Sequence, residues 1–313
     1  IFEKDEVLKN DGSPYTVYTP YSKKWKELFR KSKIENFKTD FSKFLSYKPS
    51  QFPELTDIGF KKTDLQMVEP TLKKSIINDY DKYRDFPGMD HTTHLGVALR
   101  FGTISVRKCV RFASEHNETW LNELIWREFF MQILYHFPKV VNHSFKEKYE
   151  NIQWRNDEKE FALWCNGKTG YPIVDAGMRE LNTTGFMHNR VRMVVASFLC
   201  KHLLIDWREG EKWFWDTLVD ADYGSNSVNW QWTAGTGVDS NMFVRIMAPL
   251  SQSEKFDAAR YIREWVPELA DLQEPHIHDP DEYGARPKSY PRKIIGHKAA
   301  RERALKAHEV VKS

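Results

Sequence analysis

Apolar residues recur at helical spacing in almost every ordered stretch beyond residue 71, and this pattern constrains the fold more than any other feature of the chain. The clearest helix covers residues 120–135 and ends where Phe137 and Pro138 follow. Further helices are predicted over residues 172–181, 189–205 and 211–218. No alternation typical of strands is found after residue 21. The sequence therefore predicts an all-α body.

Three segments are predicted to be non-helical. Residues 15–20 form an extended, β-favouring run after a turn signal, and residues 46–70 hold three prolines typical of an irregular linker. Residues 220–237 are rich in glycine and serine, and we predict a loop there.

The composition indicates a folded protein of ordinary kind, with 41% hydrophobic and 29% charged residues. No segment reaches the roughly twenty apolar residues that span a bilayer. The three widely spaced cysteines indicate reduced thiols in a cytosol, not a disulfide framework or a zinc site. The sequence begins with Ile1 and not with an initiator methionine, and its first residues do not resemble a signal peptide. We therefore expect the start to be the interior of a longer chain.

Basic residues are concentrated at the end of the chain. From Gly284 to Ser313 there are nine Lys or Arg against two acidic residues, although the whole chain carries only +3. Such a segment can favour polyanions, but a solvated tail is the commoner interpretation.

The segment over residues 220–232 combines two aspartates, two asparagines and two tryptophans with small residues that admit a ligand. Carboxylates there can bind a sugar hydroxyl, a ring N–H or an arginine. Considered alone, a polar loop with aromatic anchors is the commoner case.

Two helices present chemically mixed faces. Asn189, Arg192 and Met193 stand at i, i+3 and i+4, and so share a face that suits a planar, partly apolar ligand. The alternative is a capped helix start with solvated arginines.

Glu123, Trp126 and Arg127 repeat this spacing on the helix of residues 120–135. A carboxyl that an indole desolvates can donate a proton or hydrogen bond near neutral pH. The alternative is a surface glutamate paired with Arg127.

Residues 92–96 offer hydroxyls and backbone N–H groups for a phosphate. His91 and His94 alone, without nearby cysteine or acidic ligands, do not indicate a metal site. The chain contains no Walker A loop and no GxGxxG, so nucleotide binding of those two kinds is not indicated.

Five runs occur in an order that is much more specific than any of them alone. They are YDKYRDFP (80–87), ELIWREF (123–129), GFMHNRVRM (185–193), LIDWREGE (204–211) and NWQW (229–232). From about residue 15 to its end, the chain resembles the photolyase/cryptochrome family, and within it the class I cyclobutane pyrimidine dimer photolyases.

The resemblance implies an FAD bound in a helical domain, active as fully reduced FADH⁻. The implied FAD-binding residues are Tyr80, Thr92, Thr93, His94, Leu95, Gly96, Trp120, Asn189, Arg192, Asp220, Asp222 and Asn226. Arg192 would pair with Asp220 beside the flavin ring, and Asn226 would face its N5.

The resemblance also implies a DNA-binding face that receives a flipped-out pyrimidine dimer. The implied DNA- and lesion-binding residues are Arg84, Glu123, Trp126, Arg127, Asn189, Arg190, Met193, Trp232 and Gln252. Glu123 would act on the lesion and Asn226 on the flavin. Trp230, Trp207 and Trp154 would pass electrons from the surface to the flavin.

The sequence departs from the family pattern in places: His94 stands where arginine is common, Gly96 where serine is common, and the run of residues 250–252 also differs somewhat from the usual run. The implied domains are a remnant of an α/β antenna domain or linker (1–20), an inter-domain segment (21–70), the FAD domain (71–275) and a basic tail (276–313). An antenna chromophore, folate or deazaflavin, is therefore not expected on this chain.

Three functions of the family stay open. Asn189 and Met193 favour cyclobutane dimers over (6-4) products, for which histidines are expected on that helix, and Asn226 favours repair over a signalling cryptochrome. A redox or DNA-binding flavoprotein is the third alternative. The expected partner is UV-damaged DNA, bound by a monomer in a bacterial cytoplasm at the nucleoid, with no membrane contact.

Overall fold

The computed structural model describes residues 1–32, 39–48, 50–64, 68–238 and 245–311. The α-helices are α1 (Tyr18–Lys31), α2 (Lys74–Asn78), α3 (Tyr80–Tyr83), α4 (Gly96–Phe101), α5 (Val106–His116), α6 (Glu118–His136), α7 (Glu158–Cys165), α8 (Pro172–Thr184), α9 (Asn189–Ser197), α10 (Trp207–Thr217), α11 (Tyr223–Ala234), α12 (Pro249–Lys255), α13 (Ala259–Trp265) and α14 (His297–Ala307). Short 3₁₀ turns lie at Phe41–Lys43, Leu55–Ile58, Pro138–Val141, Glu147–Asn151, Pro267–Leu269, His276–His278 and Glu309–Val311. The described residues contain no β-strand, only an isolated bridge between Leu8 and Pro14. The all-α prediction is confirmed.

Helix α6 is the predicted central helix. It begins where the side chain of Asn117 accepts a hydrogen bond from the backbone N–H of Trp120, at 3.0 Å, and it ends before Pro138. It packs against α1, α5 and α11. Its buried Glu128 accepts a 2.8 Å hydrogen bond from the Trp25 indole, which attaches α1 to it.

Three predicted boundaries are wrong. Helix α1 already begins at Tyr18, so the extended run over residues 15–20 is shorter than expected. The single helix predicted over 189–205 changes to a π-helix at Phe198–Leu203, and α10 begins at Trp207, four residues earlier than expected. Helix ends are the least specified part of a hydrophobic pattern.

The loop predicted over residues 220–237 is also wrong, because most of it forms α11. The Asp222 side chain caps this helix by accepting from the Ser225 N–H at 2.9 Å, and Gly235 ends it at φ +81°. Serine, glycine and asparagine are weak helix formers, but α11 packs against α6, α9 and α10, and this packing overrides propensity.

The core has two large parts. One surrounds α8, α9 and α10, and the other surrounds α1, α5 and α6. Helix α11 belongs to both, since Trp230 lies in the first part and Val228 in the second. The surface between α6, α9 and α11 is therefore bordered by both parts.

The basic C-terminal segment is not a solvated tail. Tyr290 is buried and donates to the Asp175 carboxylate at 2.6 Å, and Ala300 and Ala304 of α14 are buried against the π-helix. Arginine and lysine stems can line such a helix while its alanine face packs inward. The sequence did not predict this packing, because lysine and arginine outnumber the few buried residues of the C-terminal segment.

We predict that Gly210→Ala destabilises the protein. A methyl group there would lie 2.3 Å from the Trp230 ring and 2.5 Å from Leu199. Overpacking outweighs the helix propensity of alanine, so urea unfolding should show a loss of about 1–2 kcal/mol. Glu209→Ala, on the exposed side of α10, is the control and should change the free energy of unfolding by at most about 0.5 kcal/mol. Equal stability of the two variants would contradict this prediction.

Candidate functional site

A cavity of about 340 Å³ opens between α6, α9 and α11. It brings together eleven of the predicted site residues, which are Arg84, Glu123, Trp126, Asn189, Arg192, Met193, Asp220, Asp222, Asn226, Trp230 and Trp232. Phe130, Ala196 and Phe214 add apolar surface. Convergent charges, amides and rings in one cleft are the usual composition of a ligand site.

The predicted pair of Arg192 and Asp220 is present in this cavity. The two guanidinium nitrogens donate to the two carboxylate oxygens at 3.2 and 3.0 Å, and the arginine Nε donates to the Met187 carbonyl at 2.7 Å. Gly185 ends α8 with φ +69°, and its carbonyl accepts from the Val219 N–H at 2.9 Å. That backbone contact brings Asp220 next to the first turn of α9.

Gly96 lies against Asp220. A Cβ atom at residue 96 would stand 2.5 Å from the Asp220 Oδ2, which real Cβ atoms essentially never do. The absence of a side chain therefore lets the carboxylate occupy this place. This close approach is a physical reason for glycine where the family pattern has serine.

Asn226 is held by a neighbouring helix. Its side-chain nitrogen donates to the carbonyl oxygen and to the carboxylate of Glu211, both at 3.0 Å, and Ser227 donates to the same carboxylate at 2.9 Å. Burial raises the pKa of Glu211. Because the amide nitrogen is occupied, the carbonyl oxygen of Asn226 is the group left for a ligand in the cavity.

Alternating charges follow the rim of the cavity. Glu123 pairs with Arg84, whose Nε lies 3.7 Å from Asp85, and Asp85 in turn accepts from Arg190 at 2.7 Å. The alternative pairing of Glu123 with Arg127 is wrong, since Arg127 donates to the Leu99 carbonyl at 3.1 Å.

Two indoles form a corner at the cavity. The rings of Trp126 and Trp232 stand 5.4 Å apart at 82°. Perpendicular rings leave an apolar recess whose two walls can each contact a flat ligand. Asn189 and Met193 lie on the facing helix.

The three tryptophans predicted for electron transfer occupy different environments. Trp230 lines the cavity, Trp207 is fully buried, and Trp154 is half-buried with its ring edge-on to His308 at 6.2 Å. Trp164, which the sequence did not single out, also meets Trp230, at 6.2 Å and 72°. Trp164 is fully buried, so core packing explains its position without a role in electron transfer.

The predicted phosphate segment lies beside other cavities. Thr92, Thr93 and His94 line a polar cavity of about 470 Å³, and His94 also borders an apolar one of about 620 Å³. Phe186 and Glu180 border both, and the Arg192 guanidinium lies 5.6 Å from the Phe186 ring. The predicted cofactor contacts are thus divided between adjoining cavities.

Other predicted residues lie outside these linings. Leu95 and Trp120 are buried in the core part that contains α6. Tyr80 is half-buried below the Arg84 guanidinium, at 5.5 Å. Gln252 lies half-buried on α12.

Comparison with known proteins identifies the family of the chain. Residues 120–310 match the family described as the FAD binding domain of DNA photolyase. The deoxyribodipyrimidine photo-lyase of Agrobacterium fabrum is 40% identical over 100% of this chain and 72% of that protein. This chain belongs to the DNA photolyase family. FAD is accordingly its cofactor.

Two solved structures of the family are similar in fold. A class III photolyase from Agrobacterium tumefaciens has a TM-score of 0.82 and 37% identity, over 99% of this chain and 71% of that one. A Synechocystis cryptochrome has a TM-score of 0.77 and 29% identity, over 98% and 69%. The expected class I assignment stays a prediction.

No helix in the described ranges is long and apolar enough to cross a membrane.

We predict that Asp220→Asn weakens FAD binding. The variant keeps a hydrogen-bond acceptor but leaves the Arg192 charge without its carboxylate, so the Kd for FAD should rise about ten-fold. The ratio of bound flavin to protein after desalting, and FAD titration of the stripped protein, measure this. Asp216→Asn, which removes an exposed partner of Lys212, is the matched control. Equal flavin retention in both variants would exclude the expected role of the pair.

We also predict a pH dependence of stability from Glu180. Burial raises its pKa to about 7, and its carboxylate accepts from Tyr261 and from the His188 N–H. The folded state therefore favours the protonated acid. Its contribution to stability is complete below the unfolded pKa of about 4.3 and is lost as pH rises through about 7.

Urea unfolding at pH 5 and pH 8 tests this contribution. The loss of stability between these values should be about 2 kcal/mol smaller in Glu180→Gln than in the natural chain. The neighbouring His188, whose pKa burial lowers to about 4, titrates with the opposite sign but is present in both proteins. The exposed Glu254→Gln is the control, and an unchanged pH slope in Glu180→Gln would refute the assignment.

Proposed function

We propose that this chain repairs cyclobutane pyrimidine dimers in DNA in a light-driven reaction. The observation that carries the proposal is the corner of Trp126 and Trp232 in the same cavity as the Arg192–Asp220 pair. A flipped-out dimer presents two pyrimidine rings set at an angle, and the faces of two indoles can pack against them. The family relationship supports DNA repair by light, and the choice of lesion rests on this cavity.

The cavity fits the cofactor of the family. A planar ring with polar edges can meet the Arg192–Asp220 pair, the Asn226 carbonyl and the apolar surfaces of Phe214 and Trp230. When bound, reduced FAD supplies the electron on excitation by blue light. Asp222, already the cap of α11, and Asn189 in the cavity lining are proposed as further contacts.

Glu123 is proposed as the residue that acts on the lesion. Its carboxyl lies at the same cavity wall as the Trp126 indole, one helical turn away on α6, and Arg84 holds it in place. A hydrogen bond between the Glu123 carboxyl and a pyrimidine of the lesion would stabilise the negative charge that develops after electron uptake.

Charge at the rim is proposed to bind the DNA backbone. Arg84 and Arg190 flank Asp85, and each arginine has donors beyond those used in its ion pairs. Phosphates would then compete with Asp85 for these donors, and binding should weaken as salt rises. Arg127 and Gln252 are proposed as peripheral contacts, and a monomer acting on cytoplasmic, nucleoid-associated DNA is the expected form.

A blue-light photoreceptor is the second candidate. It is favoured by the similarity in fold to the Synechocystis cryptochrome. Illumination of the FAD-loaded chain with oligonucleotides that carry either a cyclobutane dimer or a (6-4) product decides between the candidates. Repair of the cyclobutane dimer alone is expected. Repair of neither lesion would favour the photoreceptor.

We predict that Glu123→Ala binds dimer-containing DNA almost as tightly as the natural chain but repairs it less efficiently. The repaired fraction per absorbed photon should fall about three-fold or more, since a hydrogen-bond partner of the charged lesion is lost. Glu123→Gln keeps an N–H donor and should retain most of the yield. An unchanged yield in Glu123→Ala would remove Glu123 from the proposed mechanism.

A further inference from the structure

Tyr18 lies flat against the indole of Trp126. The two ring centroids are 3.4 Å apart and the planes differ by only 6°. Tyr18 is the first residue of α1, more than one hundred positions before Trp126 in the chain. The contact therefore depends on how α1 docks on α6, and no local pattern in the sequence indicates it.

The tyrosine is itself fixed at both ends. Its backbone starts α1, and its hydroxyl donates to the carbonyl of Asn122, one turn before Trp126, at 3.1 Å. Its edge also meets the ring of Phe129 at 5.9 Å and 75°. The Tyr18 ring therefore cannot rotate away from the indole without losing its contacts with the Asn122 carbonyl and the Phe129 ring, both on α6.

The other neighbours of Trp126 restrict it further. Phe130 lies at 5.3 Å with planes inclined by 30°, Phe129 meets it edge-on at 5.8 Å, and Trp232 stands at 82°. Because Tyr18 covers one face of the indole, a base in the cavity can reach only the remaining surface of the ring. Tyr18 is the most closely stacked of the rings that fix the orientation of that surface.

We propose that Tyr18 is a positioning residue that holds Trp126 at the angle required for recognition of the lesion. It would act on DNA only through Trp126. The proposal rests on the function proposed above, in which Trp126 contacts the flipped-out dimer. Preorganised rings lose less entropy on binding, so a mobile indole should reduce selectivity for the lesion.

The test compares four variants of the full chain loaded with FAD. Tyr18→Ala removes the ring, and Tyr18→Leu keeps apolar volume without a flat surface. Tyr18→Phe keeps the ring and loses only the hydroxyl. The matched control is Tyr15→Ala, three residues before Tyr18. The ring that it removes is also half-buried, but that ring contacts Tyr21 and not Trp126. Flavin content and thermal melting show which variants are folded.

The first readout is the ratio of the Kd for an undamaged oligonucleotide to the Kd for the same oligonucleotide with one cyclobutane dimer. Tyr18→Ala and Tyr18→Leu should lower this ratio about five- to ten-fold, part of what stacking of one base contributes. Tyr18→Phe and Tyr15→Ala should leave it within two-fold, on the order of the experimental error. An unchanged ratio in a folded Tyr18→Leu protein would overturn the proposal.

The second readout does not need DNA. In protein that carries 5-fluorotryptophan, the fluorine resonance of Trp126 is identified by its loss in Trp126→Phe. It should be a single narrow line in the natural chain and in Tyr15→Ala, and shifted or broadened in Tyr18→Leu. If the natural chain does not distinguish damaged DNA, the proposed function fails, while this resonance still decides whether Tyr18 holds Trp126. An identical line in Tyr18→Leu would refute the positioning role.

Discussion

The ion pair of Arg192 and Asp220 is the interaction on which the arrangement of the cavity depends. It joins the first turn of α9 to the turn that precedes α11, and a third hydrogen bond from the arginine to the Met187 carbonyl fixes the guanidinium plane. The arginine and aspartate side chains are 25% and 13% exposed, so each partner would be a poorly solvated charge without the other. A lysine could not replace this arginine, because the geometry uses a planar fork with several donors. The pair therefore serves as a structural connection, and in the proposed function it is also the charged surface offered to the cofactor.

A similar compensation of charge extends outward from the cavity. Glu123, Arg84, Asp85 and Arg190 alternate in sign along the rim, so no single charge there lacks a partner. Such a series costs little in stability, yet it leaves arginine donors that an incoming phosphate can use. The two arginines and three carboxylates that line the cavity leave a formal charge of only −1, and its aromatic walls can then dominate contact with an uncharged base.

A feature of the fold or of the site could be predicted from the sequence where it depends on residues close together in the chain. Helix α8 was predicted to begin at Pro172, and α6 was predicted within two residues of its observed start, because proline, a cap and apolar spacing act locally. The resemblance to the family placed Arg192 beside Asp220. The partners of two other site residues were missed: Glu211 holds Asn226 from α10, and Tyr18 supports Trp126 from α1. Both contacts join distant helices, and a single sequence carries no signal for them.

The failed prediction of a loop at α11 has a functional reason. Many of its residues are small and polar because one side of this helix faces the cavity, which Asp222, Ser225 and Asn226 line in place of a hydrophobic core. The usual apolar spacing is lost at such a surface, and local propensity then favours a loop. The helix forms because Trp230 and Val228 anchor it in the two parts of the core. A helix with weak helix-forming residues is thus expected where a rigid binding surface replaces core packing. Helix α11 combines such residues with a surface that faces the cavity.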